Sequence, residues 1–83
     1  MPTIPKLFGA AVRSRRERLG LSQEDFADKA GIHRTYVSSI ELGKVQVSIV
    51  IAAQLATALE TPLSKLWLEV ERGPRKPKGK SSG

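Results

Sequence analysis

The chain has 83 residues, of which 40% are hydrophobic, with a formal net charge of +6, one histidine and no cysteine. A sequence of this length holds one small domain around one core, and the lack of cysteine excludes disulfides, thiolate metal sites and thiol catalysis. With His33 as the single imidazole, no set of groups suited to hydrolysis or metal chemistry is present, so no enzyme, cofactor or metal site is expected.

Leu7, Phe8, Ala11, Val12 and Leu19 recur at helical spacing and predict a first helix over 4–19, with Pro5 tolerated in its first turn and Gly20 as its stop. Leu21-Ser22-Gln23-Glu24-Asp25-Phe26 then offers Ser22 as N-cap, an acidic residue three positions on, and a Leu21–Phe26 staple pair. A second helix starts there and ends at Ala30, because Gly31 supplies a left-handed stop and Ile32 must be buried to hold the turn. Arg34 to Leu42 forms a third helix, with Val37 and Ile40 inward and Thr35, Ser38 and Ser39 on the opposite side. The cap position ahead of it is His33, a poorer cap than Ser, Asp or Thr. Ser48 caps a fourth helix over 49–59, with Ile51, Leu55, Ala58 and Leu59 as its apolar stripe. Thr61-Pro62 opens a fifth, to about Glu71, carrying Leu63, Leu66, Trp67 and Val70. Strand signals are nearly absent, and the fold class expected is all-α with five helices.

Beyond the fifth helix the composition changes. Residues 72–83 hold Arg72, Arg75, Lys76, Lys78 and Lys80 among Pro, Gly and Ser, with no acid. Five of the six net charges lie there, which leaves residues 1–71 with nine basic against eight acidic side chains. A domain over 1–71 followed by a disordered basic tail over 72–83 is the organisation expected. Within the domain, Arg13, Arg15, Arg16 and Arg18 crowd against Glu17 alone, whereas 59–71 holds Glu60, Glu69 and Glu71 against Lys65, a basic end and an acidic end. The sequence contains no run of 18 apolar residues and no apolar leader core, so a soluble, cytoplasmic protein without membrane contact is expected. Glu60 follows the fourth helix at a position where a left-handed turn would be strained.

The stretch from Leu21 to Ile32, followed by Thr35-Tyr36-Val37-Ser38 and Ile40-Glu41-Leu42-Gly43-Lys44, resembles the Cro/phage-repressor helix-turn-helix family over roughly residues 7–68. Arg34 to Ser38 and Val47-Ser48 are further similar to the controller proteins of restriction–modification operons. The resemblance implies a phage-repressor-like domain whose third helix enters the DNA major groove and whose second helix points its N-terminus at the phosphate backbone. Ser22 and Gln23 lie at that N-terminus, where free N–H groups suit an anion. Arg34, Thr35, Ser38 and Ser39 match the positions from which family members read bases, and Arg34 has the fork to grip a guanine edge. Lys44, after the Gly43 turn, either touches phosphate as the matching position of family members does or is a solvated loop lysine. Tyr36 either touches the DNA backbone or packs at the domain surface, and His33 either caps weakly or touches DNA. Arg13 and Arg15 either support the backbone contact or form an ordinary charged face. The resemblance also implies a partly buried pair between Arg16 and Glu41.

The function implied is a homodimeric, sequence-specific transcriptional regulator on a pseudo-palindromic stretch of double-stranded DNA, with no small-molecule ligand evident. The alternative is an antitoxin-like protein-interaction module that also binds DNA. Leu63, Leu68 and Val70, which exceed what one face of the fifth helix can bury, make its outward surface, together with part of the fourth helix, the expected dimer surface, with Trp67 assigned to the core.

Overall fold

Five helices, α1 (Ile4–Arg18), α2 (Gln23–Ala30), α3 (Arg34–Glu41), α4 (Ile49–Ala58) and α5 (Leu63–Arg72), form the computed structural model, which describes residues 3–73. No strand occurs among the described residues. The all-α class and the order of helices are those expected, with α3, α4 and α1 each one residue shorter at the C-terminal end. Arg72 is the last residue of α5 and Gly73 its cap, so Arg72 belongs to the helix and not to the tail. The expected disorder of the remaining tail concerns residues 74–83, outside the described residues.

Four of the five helices begin where a side chain supplies an acceptor for an amide that a helix start leaves unpaired, and α5 opens after Pro62 without one. Thr3, Ser22 and Ser48 accept from the amides of Lys6, Asp25 and Ile51. His33, expected to cap poorly, does cap: its Nδ1 accepts the Thr35 amide at 3.1 Å. An imidazole nitrogen that accepts carries no proton, so the ring's N–H lies on Nε2.

Turns are set by the same local chemistry. Gly31 takes φ 75°, and the Ile32 amide reaches back to the Ala27 carbonyl at 3.0 Å, closing α2 three residues before α3 opens. After α4 the left-handed position falls on Glu60 at φ 59°, a conformation that strains any residue with a Cβ. The strain expected at Glu60 is thus present, and its carboxylate meets Lys29 Nζ at 2.7 Å.

The core is built from all five helices: Phe8, Ala11 and Val12 of α1, Phe26, Ala27 and Ala30 of α2, Val37 and Ile40 of α3, Leu55, Ala56 and Ala58 of α4 with Leu59, and Leu66 and Val70 of α5. Helix α1 packs against both α3 and α5, while α2 packs on α3 and α4. Helix α1 therefore fixes the position of α3 from behind.

Two expectations for α5 are corrected. Val70 is 2% exposed and belongs to the core, because it stands one turn from Leu66 on the same inward ridge. Trp67, assigned to the core, is 43% exposed. One residue past Leu66 is a rotation of about 100° on a helix, which carries the indole out of the core to the rim of a groove.

Candidate nucleic-acid interface

Helix α3 is amphipathic in the sense a groove-reading helix requires. Val37 and Ile40 are buried, and at about 100° per residue the point opposite them falls on Thr35, with Ser38 and Ser39 on either side. Arg34 and Thr35 are exposed, and Ser38 and Ser39 are half-buried. Arg34 has no ion-pair partner among the described residues. The face thus offers a free guanidinium fork and three short hydroxyls, groups that match base edges without filling the groove. Tyr36 lies on the flank of the helix, half-buried against the core. Leu42, the C-cap of α3, comes round to the outward side and is 54% exposed, an apolar addition to this face that the sequence alone did not single out.

The approach to α3 is framed by the start of α2 and the turn after α3. Ser22 is exposed and uses its oxygen for the Asp25 amide, leaving its hydroxyl proton free to donate. Gln23 is half-buried, and its side-chain Nε2 donates to Glu41 Oε1 at 3.1 Å. One N–H of that amide group is thereby engaged with Glu41, and the second is left to donate beside the backbone N–H groups of the helix start. His33 presents its Nε2–H away from the cap bond, and Lys44 is exposed immediately after Gly43.

Behind this face, Arg16 and Glu41 form a bidentate pair, Nε to Oε2 at 2.6 Å and Nη2 to Oε1 at 3.0 Å. The side chains are 11% and 3% exposed. Arg16 Nη1 also donates to the Leu21 carbonyl at 2.8 Å. One guanidinium thereby joins α1, the turn into α2 and the C-terminal end of α3, with Gln23 adding a bond from α2. The hydrogen bond to Glu41 raises the Arg16 pKa and outweighs its burial, so the charge is held on the guanidinium.

The other arginines of α1 are engaged elsewhere. Arg13 pairs with Glu17 at 3.0 Å, and Arg15 Nη2 meets Glu69 of α5 at 2.6 Å. The basic and acidic ends read from the sequence are joined in the fold, because α1 lies against α5. Arg13 and Arg15 each therefore face a carboxylate in this structure.

On another side of the domain a groove of about 440 Å³ runs between the start of α1, the 45–48 loop, α4 and α5. It is lined by apolar groups including Ile4, Phe8, Val47, Leu63 and Trp67. Ile49, which also lines it, is 82% exposed, Val50 next to it in the first turn of α4 is 68% exposed, and Leu68 is exposed on α5. Of the three residues assigned to a dimer surface, Leu63 lines this groove and Leu68 is exposed, whereas Val70 is in the core. Ile49 and Val50 are the exposed apolar residues of α4, the helix of which part was expected to join that surface.

No helix among the described residues is long and apolar enough to cross a membrane. A helix-turn-helix family model matches residues 12–66. The chain is 43% identical to Control protein C.MunI from a Mycoplasma species, over 87% of this chain and 99% of that protein. It is similar to the restriction-modification controller protein C.AhdI from Aeromonas hydrophila, with TM-score 0.73 and 40% identity over 75% of this chain and 94% of that one. The clp gene regulator ClgR from Corynebacterium glutamicum shares the fold with TM-score 0.82 and 27% identity, over 86% of this chain and 76% of that one.

Proposed function

The chain belongs to the helix-turn-helix family of DNA-binding transcriptional regulators, and from that membership we propose that it acts as a homodimeric controller protein on a pseudo-palindromic operator. The observation that carries the reading is the outward face of α3, where the exposed Arg34, without an ion-pair partner among the described residues, stands beside Thr35, Ser38 and Ser39 on a helix clamped from behind by Arg16. In the reading, Arg34 bonds a guanine O6/N7 edge, and the three hydroxyl residues bond or touch the neighbouring bases. Ser22, the backbone at Gln23, His33, Tyr36 and Lys44 hold the sugar–phosphate rails, which sets orientation without reading sequence.

Two copies are needed because one α3 reads only a half-site, and half-sites one helical turn apart place the two reading helices about 34 Å from each other. Ile49, Val50, Leu63, Trp67 and Leu68 supply the apolar surface for a self-complementary contact. Selection of bound duplexes from a random library tests the proposal. A two-fold motif spanning about two helical turns is the expected result, and a library without enrichment would overturn it. Within the selected site, Arg34→Ala should cost about 1–3 kcal/mol and relax preference at one position per half-site.

A further inference from the structure

Gly43 and Lys6 are in van der Waals contact across the fold. A Cβ built on Gly43 would fall on Lys6 Cγ, and would lie 2.7 Å from Lys6 Cα and 3.0 Å from its backbone nitrogen. The first turn of α1 is therefore seated directly on the turn that follows α3. That turn is itself held: Gly43 has φ 72°, its amide donates to the Ile40 carbonyl, and the Lys44 amide donates to Ser39. On the other side the Lys6 amide is tied to Thr3 Oγ1. Two lysines far apart in sequence thus leave one place at the C-terminal end of α3, both exposed and neither in an ion pair among the described residues.

The charges near them are accounted for. Glu41, two residues before Gly43, has both oxygens on Arg16 and one shared with Gln23, so it does not neutralise a lysine. Arg13, Arg15 and Arg16 each face a carboxylate, and Arg18 bonds Ser14. Among the described residues, Arg34 at the start of α3 and the Lys6/Lys44 couple at its end are cations outside any ion pair. Eight residues at 1.5 Å per residue make α3 about 12 Å long, comparable with the roughly 12 Å width of the major groove it would lie in.

We propose that Lys6 is a phosphate-binding residue that acts together with Lys44, so that the C-terminal end of the reading helix is held on one DNA strand by two ammonium groups, one from α1 and one from the turn after α3. This rests on the DNA-binding reading above. The contact is with backbone phosphate of double-stranded DNA and carries no base information. It also couples the phosphate rail to α1, the element on which α3 is mounted.

The test is a salt series with the full chain, on the selected duplex and on a scrambled one, for the unaltered protein, Lys6→Gln, Lys44→Gln, the double variant and Lys6→Arg. Each lost phosphate contact should reduce the slope of log K against log salt by about 0.9, which extrapolates to about an eightfold weaker complex at 0.1 M. Lys6→Gln should weaken both duplexes alike, the double variant should lose about twice the slope, and Lys6→Arg should keep it. The thermal midpoint should not move in any of them. An unchanged slope in Lys6→Gln, or a loss confined to the selected duplex, overturns the proposal. A midpoint that falls in Lys6→Gln and Lys6→Arg alike would mean Lys6 serves packing, and also overturns it. Failure of the unaltered protein to bind any duplex would instead reject the DNA-binding reading.

Discussion

The α carbon of Gly9 is packed against the Ile40 carbonyl so closely that a Cβ at residue 9 would overlap that oxygen and stand 2.8 Å from the carbonyl oxygen of Glu41. Both oxygens are backbone atoms at the C-terminal end of α3, so nothing flexible can yield. Glycine in the middle of a 15-residue helix is otherwise unfavourable by about 1 kcal/mol relative to alanine. Its presence allows α1 and α3 to approach.

Gly9→Ala therefore pits a helix-propensity gain of about 1 kcal/mol against an overpacking cost of about 1–3 kcal/mol, and the clash should win. Denaturant unfolding should show a lower midpoint. Operator affinity should fall by more than stability alone explains, since the displaced part is the end of α3. A stabilised Gly9→Ala protein would show that α3 is not mounted on α1 in this way.

Glu41→Gln should destabilise the fold by about 3–5 kcal/mol, because it leaves the Arg16 guanidinium largely desolvated opposite a neutral amide. Replacing both residues by Met should cost much less than the single change, since no unpaired charge remains. Chemical denaturation of the two variants separates the cases. Equal losses in both would mean that the pair contributes packing and not charge compensation.

The opposite placements of Val70 and the groove edge separate two kinds of lysine substitution. Ile49→Lys with Val50→Lys, in the exposed first turn of α4 beside the apolar groove, should leave the thermal midpoint near its starting value and yield monomers by sedimentation. Val70→Lys puts an ammonium into the core and should unfold the domain at ordinary temperature. A folded Val70→Lys monomer would contradict the burial of Val70 between α5 and the rest of the core.

Glu60 carries a small pH-dependent contribution. Its hydrogen bond to Lys29, then the attraction of that ammonium, lower its pKa below the ordinary 4.5. A carboxylate whose folded pKa lies below the unfolded one stabilises the fold above the unfolded value, and that contribution fades as pH falls through the folded value. The pair is solvent-exposed, so the effect is small and screened by salt. Thermal midpoints of Glu60→Gln and the unaltered protein should converge as pH drops through and below the ordinary glutamate range. Glu60→Gly, which removes the left-handed strain along with the pair, should not follow the Glu60→Gln curve.

How far the chain could be read depended on the range of the interaction involved. Helix starts at Ser22 and Ser48, the left-handed stop at Gly31 and the outward run Arg34-Thr35-Ser38-Ser39 are decided within four or five residues, by capping acceptors, φ freedom and the 100° turn. Those features were legible in the sequence. At His33, expected to be the poorer cap, an imidazole nitrogen accepts the amide that a hydroxyl or carboxylate would otherwise take. The sides of α5 were not legible, since Leu66, Trp67, Leu68 and Val70 are all apolar, and only the positions of α1 and α4 decide that Leu66 and Val70 face inward while Trp67 lines a groove. Gly9 under Ile40, Lys6 on Gly43 and Arg15 with Glu69 were likewise invisible. Each joins segments that have no local reason to meet. Such contacts come into being only when the burial of one shared core brings α1, α3 and α5 together, so tertiary packing, and not local propensity, decided which glycine is indispensable and which cations remain free.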